Sequence, residues 1–359
     1  MGRVWMLIAL FLAAASVQAS AQNKGWAARD REVAARFAPV FYQGLGDKPR
    51  ADYITRFDFD GDWRGDNNWE HADDPRFPLK AYVYYAVSET ATHYFIHYAV
   101  FHPRDYKGGG LRGPLLSEAI REGVRRGGKF DPTGLSGEAV LAHENDMEGC
   151  LVVVSKGTPQ KVVLVETVSH DRFLKYVPEG GPVTGFERVL LEGDRPRLYI
   201  EPKGHGISAD GAATNQSARQ ARLTYHFTGA AGNPEEASDG RVGYELLPLL
   251  STLWPRARKG VNETYGSARS YRLDGVSVLR AGKAVALRVN LNAGNAFLGK
   301  VGAPNMARPP WGWFDRNEKE RPPGAWFFDP AGTVKHHFRL GDEFATAYLH
   351  APFLGVTRR

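Results

Sequence analysis

Cysteine is nearly absent: Cys150 is the only one in 359 residues. A single thiol excludes an intramolecular disulfide framework, so stability has to come from core packing and bound ions. Cys150 opens the apolar run Cys150–Val154, which reads as a buried strand. In that setting a thiol is a small core side chain before it is a nucleophile. Several catalytic signatures are missing as well. No Gly-x-Ser-x-Gly elbow is present for a serine hydrolase. His143-Glu-Asn-Asp-Met is not His-Glu-x-x-His, which excludes a zincin helix. Walker and dinucleotide-binding glycine loops are absent too. Charge of one sign is scarce, with 46 basic residues against 40 acidic and a formal charge of +6. The short Arg121–Arg126 stretch is no nucleic-acid arm, so nucleic acid is not an expected partner.

Long apolar runs are missing beyond the start of the chain. There, Arg3 precedes the apolar Val4–Val17, and Ala19-Ser20-Ala21 forms an A-x-A cleavage site. This pattern predicts a signal peptide over 1–21, cleaved after Ala21, and a secreted protein, extracellular or periplasmic. A membrane anchor is the alternative, and the short run and the cleavage site argue against it. About 338 residues would remain, read as a single secreted domain over 22–359.

Aromatics are plentiful, with 8 Trp, 15 Tyr and 19 Phe, and 40 Gly and 22 Pro favour turns over long helices. Asp30–Phe37 has short helical spacing, and Pro39–Tyr42 reads as an entry strand. Ala81–Val87 and His93–Phe101 read as a hairpin rich in Tyr, Phe and Val. Cys150–Val154, Val162–Val168, Leu198–Glu201, Tyr225–Thr228 and Ala284–Leu291 are further strands. Leu115–Arg126 is helical and predicts an insertion over 111–130. The predicted class is mainly β, a jelly-roll-like β-sandwich with one helical insertion. Its core would span 37–211, with an embellished C-terminal extension over 235–359. Trp311 and Trp313 read as core aromatics, or as stacking faces for sugar if exposed.

The main chemical signal is His143-Glu-Asn-Asp-Met-Glu-Gly149, just before the buried run. On a strand, Asp146 and Glu148 share a face. His143 has the opposite parity and joins them only if 143–145 form a loop or bulge. An imidazole with two carboxylates suits a divalent cation, with calcium, magnesium or manganese ahead of zinc. Asp105, His170 and His205 also fall at strand ends, where neighbouring ends of a sandwich cluster. Asp58, Asp60 and Asp62 are a second, weaker metal candidate; a tight Asp-Gly turn explains them equally simply.

These residues carry a resemblance. His143-x-x-Asp146-x-Glu148 resembles the Gly-His-Arg-His-Asp-Trp-Glu heptapeptide of the necrosis- and ethylene-inducing-peptide-like proteins. It is also similar to the His-Glu-Gly-Asp-Trp-Glu motif of the vacuolar-sorting-related proteins. The segments ending at Asp105, His170 and His205 are similar to that superfamily's in the same order. Asn145 and Met147 stand where the toxins have His and Trp. The resemblance implies a β-sandwich whose acidic pocket holds a divalent cation through Asp105, His143, Asp146 and Glu148. His170 and His205 would orient those ligands or touch the bound molecule. In the cytolytic branch it further implies binding of a glycolipid head group at a membrane surface.

Three other functions stay open. Glu144-x-Asp146-x-Glu148 is similar to the active strand of retaining jelly-roll glucanases, which would make Glu144, Asp146 and Glu148 catalytic in a secreted glycosidase. A metal-assisted esterase or phosphoesterase is another hydrolase, with cation-activated water. A structural domain with a stabilising ion and no turnover is the last.

Overall fold

Runs of alternating β-branched and aromatic residues become strands because one side of each is buried. The computed structural model describes residues 25–105, 143–210, 222–259, 263–300 and 307–357. The expected signal peptide (1–21) and the helical insertion (111–130) lie outside the described residues.

The strands are β1 (Val40–Gln43), β2 (Tyr82–Thr90), β3 (His93–Asp105), β4 (His143–Ser155), β5 (Lys161–Ser169) and β6 (Arg172–Val177). Two-residue strands follow, β7 (Glu187–Arg188) and β8 (Leu191–Glu192), then β9 (Arg195–Ile200), β10 (Ile207–Ala209) and β11 (Leu223–Phe227). The C-terminal part adds β12 (Arg241–Pro248), β13 (Tyr265–Arg280), β14 (Lys283–Phe297) and β15 (Tyr348–His350). They form one mixed sheet in the order β10-β9-β1-β11-β12-β2-β3-β4-β5-β6-β7. β2 to β6 are antiparallel, whereas β1 runs parallel to β9, and β12 runs parallel to both β11 and β2.

The protein is mainly β, as the composition predicts. Each face of the β2–β5 layer has its own core. On one face Ile96, Val100, Cys150, Val152 and Val165 meet Phe41, Leu198, Ile200, Tyr225 and Tyr244 from β1, β9, β11 and β12, so the sheet closes on itself as a sandwich. On the other, Phe95, Phe101, Leu151 and Val153 meet β13, β14 and the aromatic C-terminal segment. Trp311 and Trp313 are buried there, which assigns both to core packing. Trp313 donates from Nε1 to the Met147 carbonyl at 2.9 Å. It lies where only Gly149 leaves room: a Cβ at 149 would collide with the Tyr98 carbonyl and the Trp313 ring.

Two boundaries differ from expectation. β12, placed by sequence in the C-terminal extension, sits inside the sheet between β11 and β2. β13 is 16 residues long with half of them exposed, and a register shift between Leu273 and Val276 breaks the apolar alternation that announces a half-buried strand. Among the described residues, no helix is long and apolar enough to cross a membrane.

Candidate functional site

The acidic motif occupies the first half of β4, beside the far end of β3. The register pairs Asp146 with His102, Glu148 with Val100, Glu144 with Arg104 and His143 with Asp105. Asp146 and Glu148 therefore point to the same face as Cys150 and Val152, the sandwich side. Asn145 interrupts the strand with φ of 64°. Its side chain holds this bend: Nδ2 donates to the carbonyls of Gly65 (2.7 Å) and Leu298 (2.6 Å), and Oδ1 accepts from Asn68 Nδ2 (2.6 Å). The register with β3 nevertheless runs on unshifted to His143, so the local departure is a left-handed residue at 145 and not the loop or bulge expected at 143–145.

His205 is the hub. It is fully buried and lies between two carboxylates, with Nδ1 2.7 Å from Asp146 Oδ2 and Nε2 3.2 Å from Asp52 Oδ1. Its ring stacks on His102 at 3.7 Å between centroids and 7° between planes. Burial alone would lower the His205 pKa, but the Asp146 and Asp52 carboxylates outweigh it and raise it to about 10. Burial pushes Asp146 upward, yet the hydrogen bond from His205 and the fields of His205, His143 and His102 hold it well below its usual range. Burial takes His102 the other way from His205, well below 6.5, and the His205 charge adds to that shift. The stacked pair therefore sets a ring whose charge its surroundings favour against one whose charge they disfavour.

Glu148 is the unmatched member. One oxygen accepts from the His170 N–H at 3.1 Å; the other, Oε2, is buried and has no hydrogen-bond partner. Burial first, then the charge of Asp146, raise its pKa well above 4.5. His143 Nδ1 is 3.0 Å from the Glu144 carbonyl, which only accepts, so in neutral His143 the proton belongs on Nδ1. That leaves the Nε2 lone pair, 3.7 Å from Asp105 Oδ2, available to a Lewis acid. Asp105 also acts on Glu148 through its charge, which puts both in one electrostatic neighbourhood.

Backbone strain concentrates here. Non-glycine residues with positive φ include Asn145 (64°), His170 (59°), Lys203 (72°) and His205 (55°), all around this site. His170, exposed at the β5–β6 turn, pairs with Glu201 at 2.7 Å. A small cleft lined by Asp146, Glu148, His170, Arg308, Trp313 and Phe314 opens the group to solvent.

The other sequence candidates fall elsewhere. Both Glu144 oxygens accept backbone N–H groups, from Trp69 at 3.0 Å and from Lys300, which makes Glu144 an anchor for two loops. Asp58 pairs with Arg56 at 2.8 Å. Asp60 accepts from the Asp62 N–H (3.1 Å) and lies 2.6 Å from His71 Nδ1. Asp62 accepts from Arg64 N–H and Asn67 Nδ2. With Gly61 at φ of 93°, this is the Asp-Gly turn, each carboxylate already engaged by protein. Among the described residues, no three His, Cys, Asp or Glu side chains close around a common point as a cation cage does.

Sequence reasoning missed Asp52 and His102. His102 has a local signal: extending the 93–101 strand by one residue puts an imidazole opposite Asp146. Asp52 has none, because it belongs to a four-residue helix, Pro49–Asp52, that reaches His205 only through the tertiary fold.

No family model matches the chain, and no curated protein matches it in sequence. Solved structures do. NLPPya in complex with glucosamine is 16% identical, with 50% of this chain covering 67% of that one at a TM-score of 0.30. The complex of NLPPya with mannosamine gives the same figures. Necrosis and Ethylene inducing Protein 2, from the causal agent of cocoa's witches' broom disease, is 16% identical over 49% of this chain and 66% of its own, with a TM-score of 0.28. Over half of its length, this chain is similar to solved structures of necrosis- and ethylene-inducing proteins.

Proposed function

We propose that this is a secreted protein that binds a carbohydrate or glycolipid head group through a divalent cation at the β3–β4 end of the sandwich. One observation carries the reading: negative charge is in surplus in a buried place. Asp52 and Asp146 flank one imidazolium, and next to Asp146 on the same strand face Glu148 has a buried oxygen to which no described residue donates. Uncompensated buried carboxylates are unfavourable unless protonated or matched by a cation. The donor set is oxygen-rich with one imidazole, which suits calcium, magnesium or manganese better than zinc. Asp105, His143, Asp146 and Glu148 would hold the ion. Once bound, it would supply open positions for hydroxyl oxygens of the ligand.

The chain's own residues account for the rest. His205, fixed by Asp52, orients Asp146. His170 holds Glu148 by its backbone N–H, and its exposed ring, paired with Glu201, borders the cleft. Display of that ligand on a membrane surface follows the same reading. A glycosidase gains little support, because each Glu144 oxygen already accepts a backbone N–H.

The test is metal content of the purified protein, before and after Asp146→Asn, with thermal unfolding in EDTA. A stoichiometric ion that stabilises the wild type and is lost in the variant is expected. A wild type that takes up neither calcium, magnesium, manganese nor zinc ends the reading. Co-sedimentation with vesicles carrying a neutral glycolipid then tests the membrane arm.

A further inference from the structure

A second cleft, of about 490 Å³, lies in the C-terminal layer. Phe173, Arg269, Arg308, Trp313, Phe314 and Pro322 are among its walls. Arg308, Trp313 and Phe314 also line the acidic cleft, so the two clefts share these side chains as a wall. Their charges are opposite. The carboxylates of the larger cleft are already taken. Glu318 lies 2.9 Å from His337 Nε2, and Asp315 accepts the N–H groups of Phe173 and Asn317. Arg321 is taken as well, by Asp329 at 2.7 Å and by Thr333.

Arg308 is different. It is half-buried, and its guanidinium lies 4.4 Å over the Phe314 ring, which fixes its plane. The carboxylate whose field it feels is Asp171, and that group pairs with Arg316 at 3.4 Å. The other charge acting on it is repulsive, from Arg269 across the cleft. Two guanidiniums facing one cavity, one of them half-buried and oriented by an aromatic face, form a fork for a planar or tetrahedral oxyanion.

We propose that this cleft is an anion subsite in which Arg308 and Arg269 bind the carboxylate or phosphate of an acidic sugar. The hydroxyl-bearing part of the same molecule lies along Trp313 and Phe314 toward Asp146 and Glu148. This goes beyond the cation reading and does not depend on it, since the arginines supply the charge. It also places the specificity in the C-terminal part of the chain, outside the span that carries the motif resemblance.

Calorimetry of the full chain with glucuronate, glucose 6-phosphate and glucose, with and without EDTA, tests it. The acidic sugars are expected to bind at least about tenfold more tightly than glucose, and Arg308→Met to erase that advantage. Arg269→Gln, on an exposed strand, is expected to weaken acidic-sugar binding by about threefold and serves as the variant if Arg308→Met does not fold. The order should persist in EDTA whether or not the protein holds metal. Equal affinity for glucuronate and glucose, an unchanged glucuronate affinity in both arginine variants, or loss of all discrimination in EDTA would each overturn the proposal. Neutral vesicles doped with an acidic glycolipid separate the sources. Capture lost in the arginine variants assigns a lipid-borne sugar, and discrimination among free sugars alone assigns a soluble one.

Discussion

Among the described residues, two buried histidines are held between carboxylates, and they are not alike. In the C-terminal layer His337 lies between Glu166 (Nδ1, 2.5 Å) and Glu318 (Nε2, 2.9 Å). The second Glu166 oxygen accepts from Trp326 Nε1 at 2.7 Å. His336 lies 3.7 Å from Glu318, beside the clamp. That clamp is matched, and it ties β5 to the C-terminal helix Pro330–His337. At the acidic cleft His205 is held the same way by Asp146 and Asp52, but Glu148 remains, with a buried oxygen to which no described residue donates. The first arrangement is complete within the protein. On the proposed reading a cation completes the second, and strained backbone surrounds it at four residues. The contrast separates a structural clamp from a site.

The same substitution in the two places is expected to act oppositely, and this gives the largest effect. Glu166→Gln leaves a buried imidazolium half-paired and is expected to destabilise the protein by about 3–5 kcal/mol, read from urea unfolding. Glu148→Gln keeps the hydrogen bond from the His170 N–H and removes only the unmatched charge. Cation-free stability should then stay within about 1 kcal/mol of wild type. The rise in Tm on adding cation should vanish. Equal losses in the two variants would dissolve the distinction drawn above.

A second, smaller effect separates the clamps by pH. Burial lowers the His337 pKa, but Glu166 and Glu318 outweigh it and raise it from 6.5 to about 9. A pKa raised on folding contributes stability in full below about 6.5 and loses it as pH rises through about 9. His337→Gln is therefore expected to be less stable than wild type at pH 6 and to approach it by pH 10. Two Tm curves that stay parallel over this range would show that His337 is not held as a cation. His205 has the same sign, so the wild type keeps a residual slope that the variant also shows.

How much of this could be read in advance follows from distance along the chain. The hairpin at 81–101 and the strands at 150–154 and 162–168 are visible because short runs dense in β-branched and aromatic side chains report strands buried on both faces. Asp146 and Glu148 are visible as well, since parity puts them on one face. His205 was in view as a strand end, but its partner Asp52 is 153 positions away and no pattern links them. Arg308 carries no signal at all: its significance is that its neighbours' charges are already taken, which only packing decides. β14 is visible through the alternation over Ala284–Leu291, whereas β13 escapes because half of its residues are exposed and a register shift interrupts its apolar alternation.

The smallest effect tests whether the strain belongs to function. His170 holds φ of 59°, a left-handed conformation that disfavours a side chain by about 1 kcal/mol, and its ring is exposed. Its pair with Glu201 is half-exposed on both sides and contributes little. His170→Gly relieves the conformation while keeping the backbone N–H that binds Glu148. Stability should rise by up to about 1 kcal/mol, partly offset by the freer unfolded chain. Ligand binding should weaken in the same variant, because the imidazole that borders the cleft is gone. A strained residue whose removal stabilises the fold and impairs binding is kept for the site. If His170→Gly instead destabilised the protein and left binding intact, the strain would belong to the β5–β6 turn, and the comparison with the unstrained His337 clamp would lose its functional meaning.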